Sequence, residues 1–267
     1  MIRLPAVAGQ FYPGTERELD QAIASLTFDS PDRVAAKAVV SPHAGYIYSG
    51  GVAGALFSSV EIPERIIVLC PNHTGVGENA AACASGSWRM PWGDVPIDGE
   101  LATRLIDSVP FLHDDPSAHR DEHALEVILP FLHRFRKTFR FVPIALGQLT
   151  LGQCRQLGEA LATAISAGDS PSLIVASSDM SHYVPDEVAR RKDGLAIERM
   201  LALDPEGLFS TVRTQRISMC GVLPATVALF ASLSLGASSA RLVKYATSGE
   251  ASGDYDSVVG YAGLLFS

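Results

Sequence analysis

The amino-acid sequence predicts a single α/β domain, residues 1–267, in which helices cover both faces of a mostly parallel or mixed central sheet. Two observations support this fold class. Short apolar, β-branched runs alternate with helical patterns along the chain, which is typical of strand–helix–strand units. No internal repeat, low-complexity segment or linker interrupts the alternation, so the sequence offers no boundary between two domains.

The elements of the first half follow from local patterns. Residues 15–18, Thr-Glu-Arg-Glu, have the pattern of a capping box, and apolar residues at helical spacing follow them. Residues 65–70 form an uninterrupted apolar run, which is typical of a strand covered on both faces. Pro130 is expected to bend or split an amphipathic segment. The predicted elements are helix 16–26, strand 38–40, a helix that begins within 49–55, strand 65–70, a helix near 101–106 and helix 121–136.

The second half continues the same alternation. Asp204-Pro205 has the pattern of a cap followed by proline in the first helical turn. Residues 217–240 carry no charge and reach the length of a membrane span, but Gly221 and Pro224 interrupt them, so a buried core helix is expected. The predicted elements are strand 139–146, helix 151–165, strand 173–179, helices 186–203 and 205–213, the buried helix, and strands 241–246 and 257–266.

Composition excludes several classes of protein. The formal net charge is −8 and no Lys/Arg cluster is present, so neither nucleic acid nor an anionic membrane is expected as the main partner. The four cysteines form no CxxC pair and suggest neither a zinc ribbon nor a disulfide framework. Free cysteines and the absence of a secretory pattern in the first fourteen residues predict a cytoplasmic location.

Polar side chains follow the ends of three predicted strands. The sequence VVSPHAG places His43 beyond one strand, IIVLCPNH places His73 beyond the next, and ASSDMSH places Asp179 and His182 beyond a third. In open α/β sheets, ligands bind outside the carboxyl ends of the strands because the loops converge there. The spacing therefore predicts a functional site at that edge rather than separate packing histidines.

Two neutral imidazoles and one anionic ligand commonly bind a catalytic divalent metal. His43 and His73 supply the imidazoles, and the sequence leaves three candidates open for the third ligand: Asp179, Glu122 and Cys220. Any single histidine of this kind is more often a hydrogen-bonded, half-buried residue. The pair carries more weight because both histidines follow strands at the same edge.

Three further residues are candidates for proton transfer or metal binding. Asp179 close to His182 suits an acid/base pair, although an aspartate in a loop is often only a turn residue. His123 is predicted on the first turn of the helix at 121–136, where acidic neighbours could equally be surface caps.

Cys220 is predicted at the start of the long apolar helix, where a helix N-terminus lowers the pKa of a thiol. Such a thiol is a metal ligand or a nucleophile, and a buried free cysteine is the equally common alternative. The other cysteines and histidines are expected to have packing or surface roles: Cys70, Cys83, Cys154, His113, His119 and His133.

Taken together, these motifs resemble one known family. The segments PAVAGQFYPG, SPHAGYIYSG, PNHTG, DEHALE, SSDMSHY, MCG and YATSGEASGDYDSVVGYA resemble the Memo family, whose prokaryotic members are called AmmeMemoRadiSam system protein B. The resemblance runs in order from residue 3 nearly to the C-terminus. It implies a fold similar to the class III extradiol ring-cleavage dioxygenases, whose non-haem iron is held by two histidines and a glutamate.

The resemblance also implies roles for residues. His43 and His73 correspond to the two iron-binding histidines, and Cys220 stands where the dioxygenases have the glutamate. A soft thiolate in place of a carboxylate favours copper, zinc or a more covalent iron site, so dioxygenase activity does not follow from the fold. Fe(II) is the first expectation for the cofactor, with Cu or Zn as alternatives.

The histidines that contact substrate and transfer protons in the dioxygenases look like His123 and His182, with Asp179 beside the latter. Relatives are described both as metal-binding redox proteins and as adaptors that bind phosphotyrosine peptides. Prokaryotic relatives go with a radical-SAM protein and an AMMECR1-domain protein, which are therefore expected partners.

These observations lead to one preferred function and two alternatives. The preferred function is a metal-binding redox protein or non-haem metal oxidoreductase acting on an unknown small-molecule or peptide substrate, as a monomer or homodimer. The first alternative is a non-catalytic adaptor whose cleft binds a peptide or partner protein. Four aromatic residues could line such a surface, although core packing is the more common use for at least two of them: Tyr46, Tyr48, Trp88 and Trp92. The second is a hydrolase or transferase with Cys220 as nucleophile.

Overall fold

The computed structural model describes residues 1–267 and contains twelve strands and nine α-helices. The strands are β1 (Ile2–Arg3), β2 (Ala38–Ser41), β3 (Arg65–Pro71), β4 (Ala80–Ala82), β5 (Ser87–Met90), β6 (Gly93–Pro96), β7 (His113–Asp114), β8 (Arg140–Leu146), β9 (Ser172–Ser177), β10 (His182–Val184), β11 (Ala240–Thr247) and β12 (Val258–Phe266). The helices are α1 (Glu16–Leu26), α2 (Tyr46–Ser58), α3 (Gly99–Ser108), α4 (Leu129–Phe135), α5 (Leu151–Ser166), α6 (Asp186–Leu201), α7 (Pro205–Thr214), α8 (Val222–Ser234) and α9 (Gly249–Ser252).

The central sheet is mixed, as the sequence predicts. Its strand order is β10-β12-β2-β9-β3-β8-β4-β7, and β11 also pairs with β12. The middle strands β2, β9, β3 and β8 are parallel to their neighbours among themselves, whereas β12 and β4 pair antiparallel to them on either side. A second, three-stranded sheet has the order β1-β5-β6.

Both faces of the central sheet are covered, which explains the uninterrupted apolar run of β3. Ile67 and Leu69 pack into one apolar cluster with helices α3, α5, α6, α7 and α8. Ile66 and Val68 point the other way, into a second cluster with α1, α2 and α4. Because successive side chains of a strand face opposite sides, a strand buried on both sides needs apolar residues at every position. The predicted helix–sheet–helix sandwich is therefore confirmed.

The uncharged stretch at 217–240 contains the buried helix that the sequence predicts. Helix α8 spans only Val222–Ser234 and packs against α5 and the sheet, with most of its residues buried. None of the helices has both the length and the apolar character needed to cross a membrane.

The prediction of one amphipathic helix over residues 121–136 is wrong. Residues 121–125 have no regular helical structure, a 3-10 turn follows at Glu126–Ile128, and α4 begins only at Leu129. Pro130 lies in the first turn of α4, where its missing N–H costs nothing, so it begins the helix instead of bending it. His123 therefore lies in an irregular segment that precedes a helix.

His119 is buried, although the sequence suggests a histidine in a polar loop. Its ring is next to Trp88, and its Nε2 lies 3.1 Å from the carbonyl oxygen of Ala81. A carbonyl only accepts hydrogen bonds, so Nε2 carries the proton, while Nδ1 has no partner. Burial lowers the pKa of His119 from 6.5 to about 4.

We expect the wild-type protein to lose stability as pH falls from 6.5 to about 4, and His119→Gln to lose less over that range. The unfolded chain binds a proton at His119 before the folded chain does, so acid favours unfolding by roughly 3 kcal/mol at most. Urea unfolding at several pH values measures the effect. The exposed His113 provides the control, and equal pH dependence for His113→Gln and His119→Gln would contradict the prediction.

Candidate metal centre

Three histidines meet at the carboxyl edge of the central sheet. His43 follows β2, His73 follows β3, and His123 lies in the irregular segment before α4. One ring nitrogen from each lies within 4.8 Å of the others. Ser41 at the end of β2 is the register partner of Ser177 in β9, so the loops that follow adjacent parallel strands emerge side by side.

The His43 ring is buried and held on one side. Its Nδ1 lies 2.6 Å from Oγ of Ser177, and its backbone N–H donates to Asp179 at 2.8 Å. Burial and the neighbouring imidazoles lower the pKa of His43 well below its ordinary value, so the ring is neutral and suited to binding a cation. Nε2 is the nitrogen that faces the other candidate donors.

The His73 ring is oriented by a buried carboxylate. Glu122 is fully buried and accepts hydrogen bonds from the backbone N–H of His73 at 2.6 Å and from its Nδ1 at 3.0 Å. Although burial opposes both charges, this hydrogen bond holds the pKa of Glu122 below and that of His73 above their ordinary values. Glu122 was an open candidate for the third ligand. Its carboxylate instead orients His73 and leaves Nε2 of that ring free.

His123 completes the cluster. Its ring stacks on that of His73 with centroids 5.1 Å apart, and its Nδ1 lies 3.6 Å from Glu122. The Phe11 ring also packs against it in a T-shaped contact, with 4.9 Å between centroids. Burial lowers the pKa of His123. The sequence suggested proton transfer for this residue, and the structure places it among the candidate metal donors.

Cys220 lies next to His43, with Sγ 3.5 Å from Nε2, and outside the set of three close imidazoles. It lies two positions before Val222, the first residue of α8, and the backbone N–H of Asp179 donates to its sulfur at 3.2 Å. Burial raises the pKa of the Cys220 thiol well above its ordinary value, and the nearby Asp179 carboxylate raises it further. The expected lowering of this pKa by a helix N-terminus is therefore wrong for the metal-free chain.

Asp179 and His182 lie near each other without forming a hydrogen-bonded pair. The Asp179 carboxylate accepts from the His43 backbone, and its other oxygen lies 3.9 Å from Nε2 of His43. Burial raises the pKa of Asp179 to about 6. Nδ1 of His182 donates to the carbonyl of Ser218 at 2.9 Å, and the backbone N–H of His182 donates to Oγ of Ser218 at 2.7 Å. Ser218, and not Asp179, therefore fixes the tautomer of His182.

A cleft of about 1020 Å³ opens over this edge of the sheet. His43, His73, His123, His182 and Asp179 line it, whereas Cys220 lies behind His43 and does not. Aromatic side chains form much of the wall: Phe11, Tyr12, Tyr46, Tyr48, Tyr183 and Tyr261. Trp88, which the sequence suggested for such a surface, is instead in the core.

The residues present fit a transition metal. Imidazole nitrogens with their opposite nitrogens held by a hydroxyl and a carboxylate are the usual arrangement around a bound ion. In addition, an imidazole nitrogen and a thiolate that share one tetrahedral ion lie about 3.6 Å apart. The 3.5 Å between His43 Nε2 and Cys220 Sγ matches this separation. Without an ion, the same contact is an S–H···N hydrogen bond.

The fold and the site together define a class: an α/β sandwich with a histidine cluster, compatible with a metal ion, at the carboxyl edge of its sheet. The chain belongs to the Memo family, because the family model described as "Memo-like protein" matches residues 3–265. MEMO1 family proteins of Methanopyrus kandleri and Aquifex aeolicus are each 42% identical to it. Each match covers at least 99% of this chain and 99% of the relative.

A solved structure supports the fold alone. An uncharacterized protein from Escherichia coli K12 superimposes with a TM-score of 0.57 at 15% sequence identity. The match covers 85% of this chain and 98% of that protein. At this identity the similarity extends to the architecture and carries no information about activity.

Proposed function

We propose that this protein binds one transition metal at His43, His73 and Cys220, with His123 as a further donor, and carries out redox chemistry on a substrate in the cleft. The observation that carries the proposal is the convergence of three imidazoles whose nitrogens lie within 4.8 Å, two of them held through Nδ1. A histidine whose Nδ1 is occupied in this way presents Nε2 to an ion.

Residues of the cleft would have separate roles in proton transfer and substrate binding. A bound metal would supply Lewis acidity and electron transfer. His182 faces the cleft and donates Nδ1–H to Ser218, so its Nε2 has a lone pair that can take a proton from a substrate. Burial beside His43 raises the pKa of Asp179 to about 6, so this carboxyl can hold a proton in mildly acidic solution. The aromatic side chains of the wall favour a flat or partly apolar substrate over a highly charged one.

The donor set favours certain metals. Imidazoles with one thiolate suit Fe(II), Cu and Zn better than Mg or Ca, which prefer oxygen ligands. Redox chemistry requires iron or copper, of which we propose Fe(II) as the first choice. Partnership with a radical-SAM protein and an AMMECR1-domain protein stays a prediction from the family resemblance. A cytoplasmic location stays a prediction from the free cysteines and the N-terminal sequence.

Anaerobic metal titration tests the proposal. We expect the wild-type protein to take up one equivalent of Fe(II) or Cu(I) and to unfold at a higher temperature when loaded, since an ion that binds only the folded state stabilises it. A chelator should return the unfolding temperature to that of the metal-free protein. No uptake of any of Fe(II), Cu(I) or Zn(II) would refute the metal site.

Cobalt substitution tests the thiolate. Co(II) in the wild-type site should give a sulfur-to-metal charge-transfer absorption that Cys220→Ala lacks. Cys83→Ala is the matched control, because Cys83 is also a free cysteine but lines a different cavity. A charge-transfer band unchanged in Cys220→Ala would remove Cys220 from the donor set and leave three imidazoles.

A peptide-binding function has one supporting observation. Ile47, Tyr48 and Tyr183 line the cleft and expose 74%, 44% and 78% of their surface, which is typical of a contact surface. Tyr183 also has a positive φ of 56°, a conformation that residues other than glycine rarely adopt. The nucleophilic-cysteine alternative has less support, because the high pKa of Cys220 disfavours a free thiolate.

A further inference from the structure

Ser177 lies beneath the histidine cluster and makes two short hydrogen bonds. It is the last residue of β9, is fully buried and does not line the cleft. Its Oγ lies 2.6 Å from the carbonyl oxygen of Ala124 and 2.6 Å from Nδ1 of His43. The hydroxyl thus stands between a backbone carbonyl and a candidate metal-binding ring.

The position of each proton follows from the chemistry of these three groups. A carbonyl oxygen only accepts, so the single hydroxyl proton of Ser177 must point to Ala124. The Ser177 oxygen can then only accept from His43, so the proton of the neutral ring lies on Nδ1. Nε2 is left with its lone pair, 3.5 Å from Sγ of Cys220. This is the tautomer that binds a metal through Nε2.

We propose that Ser177 is a positioning residue that sets the tautomer and the rotation of His43. The metal-binding consequence rests on the function proposed above, whereas the tautomer is a property of the metal-free protein. The alternative Nε2–H tautomer has acceptors within reach, because Cys220 Sγ and Asp179 Oδ2 lie 3.5 and 3.9 Å from Nε2. Without Ser177, nothing on the Nδ1 side would prevent that exchange.

The short segment 122–124 holds two of the three imidazoles through hydrogen bonds and supplies the third. The Glu122 carboxylate accepts from Nδ1 of His73 and from the backbone N–H of Ala124 at 2.9 Å. The carbonyl of the same Ala124 accepts from Ser177, which in turn holds His43. His123, between them in sequence, contributes its own ring. Residues 122–124 therefore connect the three rings. Glu122 holds His73 directly, and the Ala124 carbonyl holds His43 through the hydroxyl of Ser177.

Ser177→Ala tests the proposal, with Ser41→Ala as the matched control. Ser41 is equally buried and is the register partner of Ser177 on the adjacent strand, but its hydroxyl contacts only the carbonyl of Pro42. We expect nitrogen NMR of the metal-free wild-type protein to show the Nδ1–H form of His43. Ser177→Ala should shift the ring toward Nε2–H, whereas Ser41→Ala should not.

Metal titration provides the second measurement. Loss of an outer partner of a ligand typically costs 10–100-fold in affinity, so Ser177→Ala should weaken binding by that factor while Ser41→Ala binds as wild type. Ser177→Thr, which keeps the hydroxyl, should restore both the tautomer and the affinity. If Ser177→Ala does not fold, an Nε2–H ring of His43 in the wild-type protein or in Ser177→Thr, both of which keep the hydroxyl, would still overturn the proposal.

The two proposals fail in different ways. A His43 ring in the Nε2–H form in the wild-type protein, or a tautomer unchanged in Ser177→Ala, overturns the role of Ser177 even if metal binds. A wild-type protein with Nδ1–H at His43 that takes up no metal overturns the proposed function and leaves the role of Ser177 in place.

Discussion

Replacing His43 with alanine is expected to abolish stoichiometric metal binding, the largest effect of any single substitution at the site. His43 contacts both other rings of the cluster, with centroids 5.4 Å from His73 and 5.6 Å from His123. It also contacts Cys220, so every candidate donor set includes it. The expected loss therefore exceeds the 10–100-fold typical of an outer partner.

Equilibrium dialysis with Fe(II) and Zn(II) measures the loss, with unfolding temperature recorded on the same samples. His113→Ala is the control for binding at surface histidines, because His113 is exposed at the edge strand β7. The metal-free His43→Ala protein should unfold at a temperature near that of the metal-free wild type. Retention of one tightly bound equivalent by His43→Ala would place the metal elsewhere in the chain.

Two of these histidines could be predicted because each follows the end of a strand closely in sequence. His43 and His73 each stand two residues beyond the end of a strand, β2 and β3 respectively, and the carboxyl ends of parallel strands lie at one edge of a sheet. Ser177 and Ser218 could not be predicted in the same way. Serine is common in loops, and only the three-dimensional contact with an imidazole distinguishes these two. The run Ser177-Ser178-Asp179 at a strand end was the only available signal.

Strands buried on both faces could be predicted, because burial imposes a run of apolar residues. Short strands without such a run were missed. Strands β3, β8 and β9 are buried on both faces, so their apolar runs stand out. The segment 80–96 contains three short strands, of three or four residues each, that have no length over which a periodicity could develop. Of these strands, β4 and β5 also pair with strands distant in sequence, β8 and β1 respectively, which local propensity does not report.

The segment 121–128 was misassigned for a related reason. Its apolar spacing fits a helix, but its polar groups have tertiary partners that a helix would forbid. Glu122 bonds His73, and the carbonyl of Ala124 bonds Ser177. Glu126 bonds the N-terminal segment. Long-range hydrogen bonds to buried groups outweigh the few tenths of a kcal/mol per residue that helix propensity supplies.

Glu126 is expected to be the residue whose loss costs the most stability. Its side chain is fully buried and accepts from Tyr12 Oη at 2.6 Å and from the backbone N–H groups of Ala6 and Val7 at 2.7 and 3.1 Å. It also pairs with the guanidinium of Arg3. Glu126→Ala would leave the Arg3 cation without its counter-ion and the three other donors without an acceptor, at a cost of about 3–5 kcal/mol.

Urea unfolding of metal-free protein measures this cost, with Asp94→Ala as the control. Asp94 also pairs with an arginine, Arg89, but both side chains are substantially exposed and screened by water, so its removal should cost far less stability than removal of Glu126. Similar losses for the two variants would show that the buried network adds nothing to an ordinary surface pair.

Loss of Glu126 should also weaken metal binding, because Glu126 holds the N-terminal segment that packs against the site. That segment carries Phe11, whose ring supports His123, and Arg3, which donates to the Glu122 carbonyl at 2.7 Å. Released from Glu126, the segment would no longer fix one wall of the cleft. We therefore expect Glu126→Ala to expose the Ala6 and Val7 amides to hydrogen exchange and to weaken metal binding, whereas Asp94→Ala does neither. Weakened binding without faster exchange would mean that Glu126 acts on the histidines through the 122–126 segment alone.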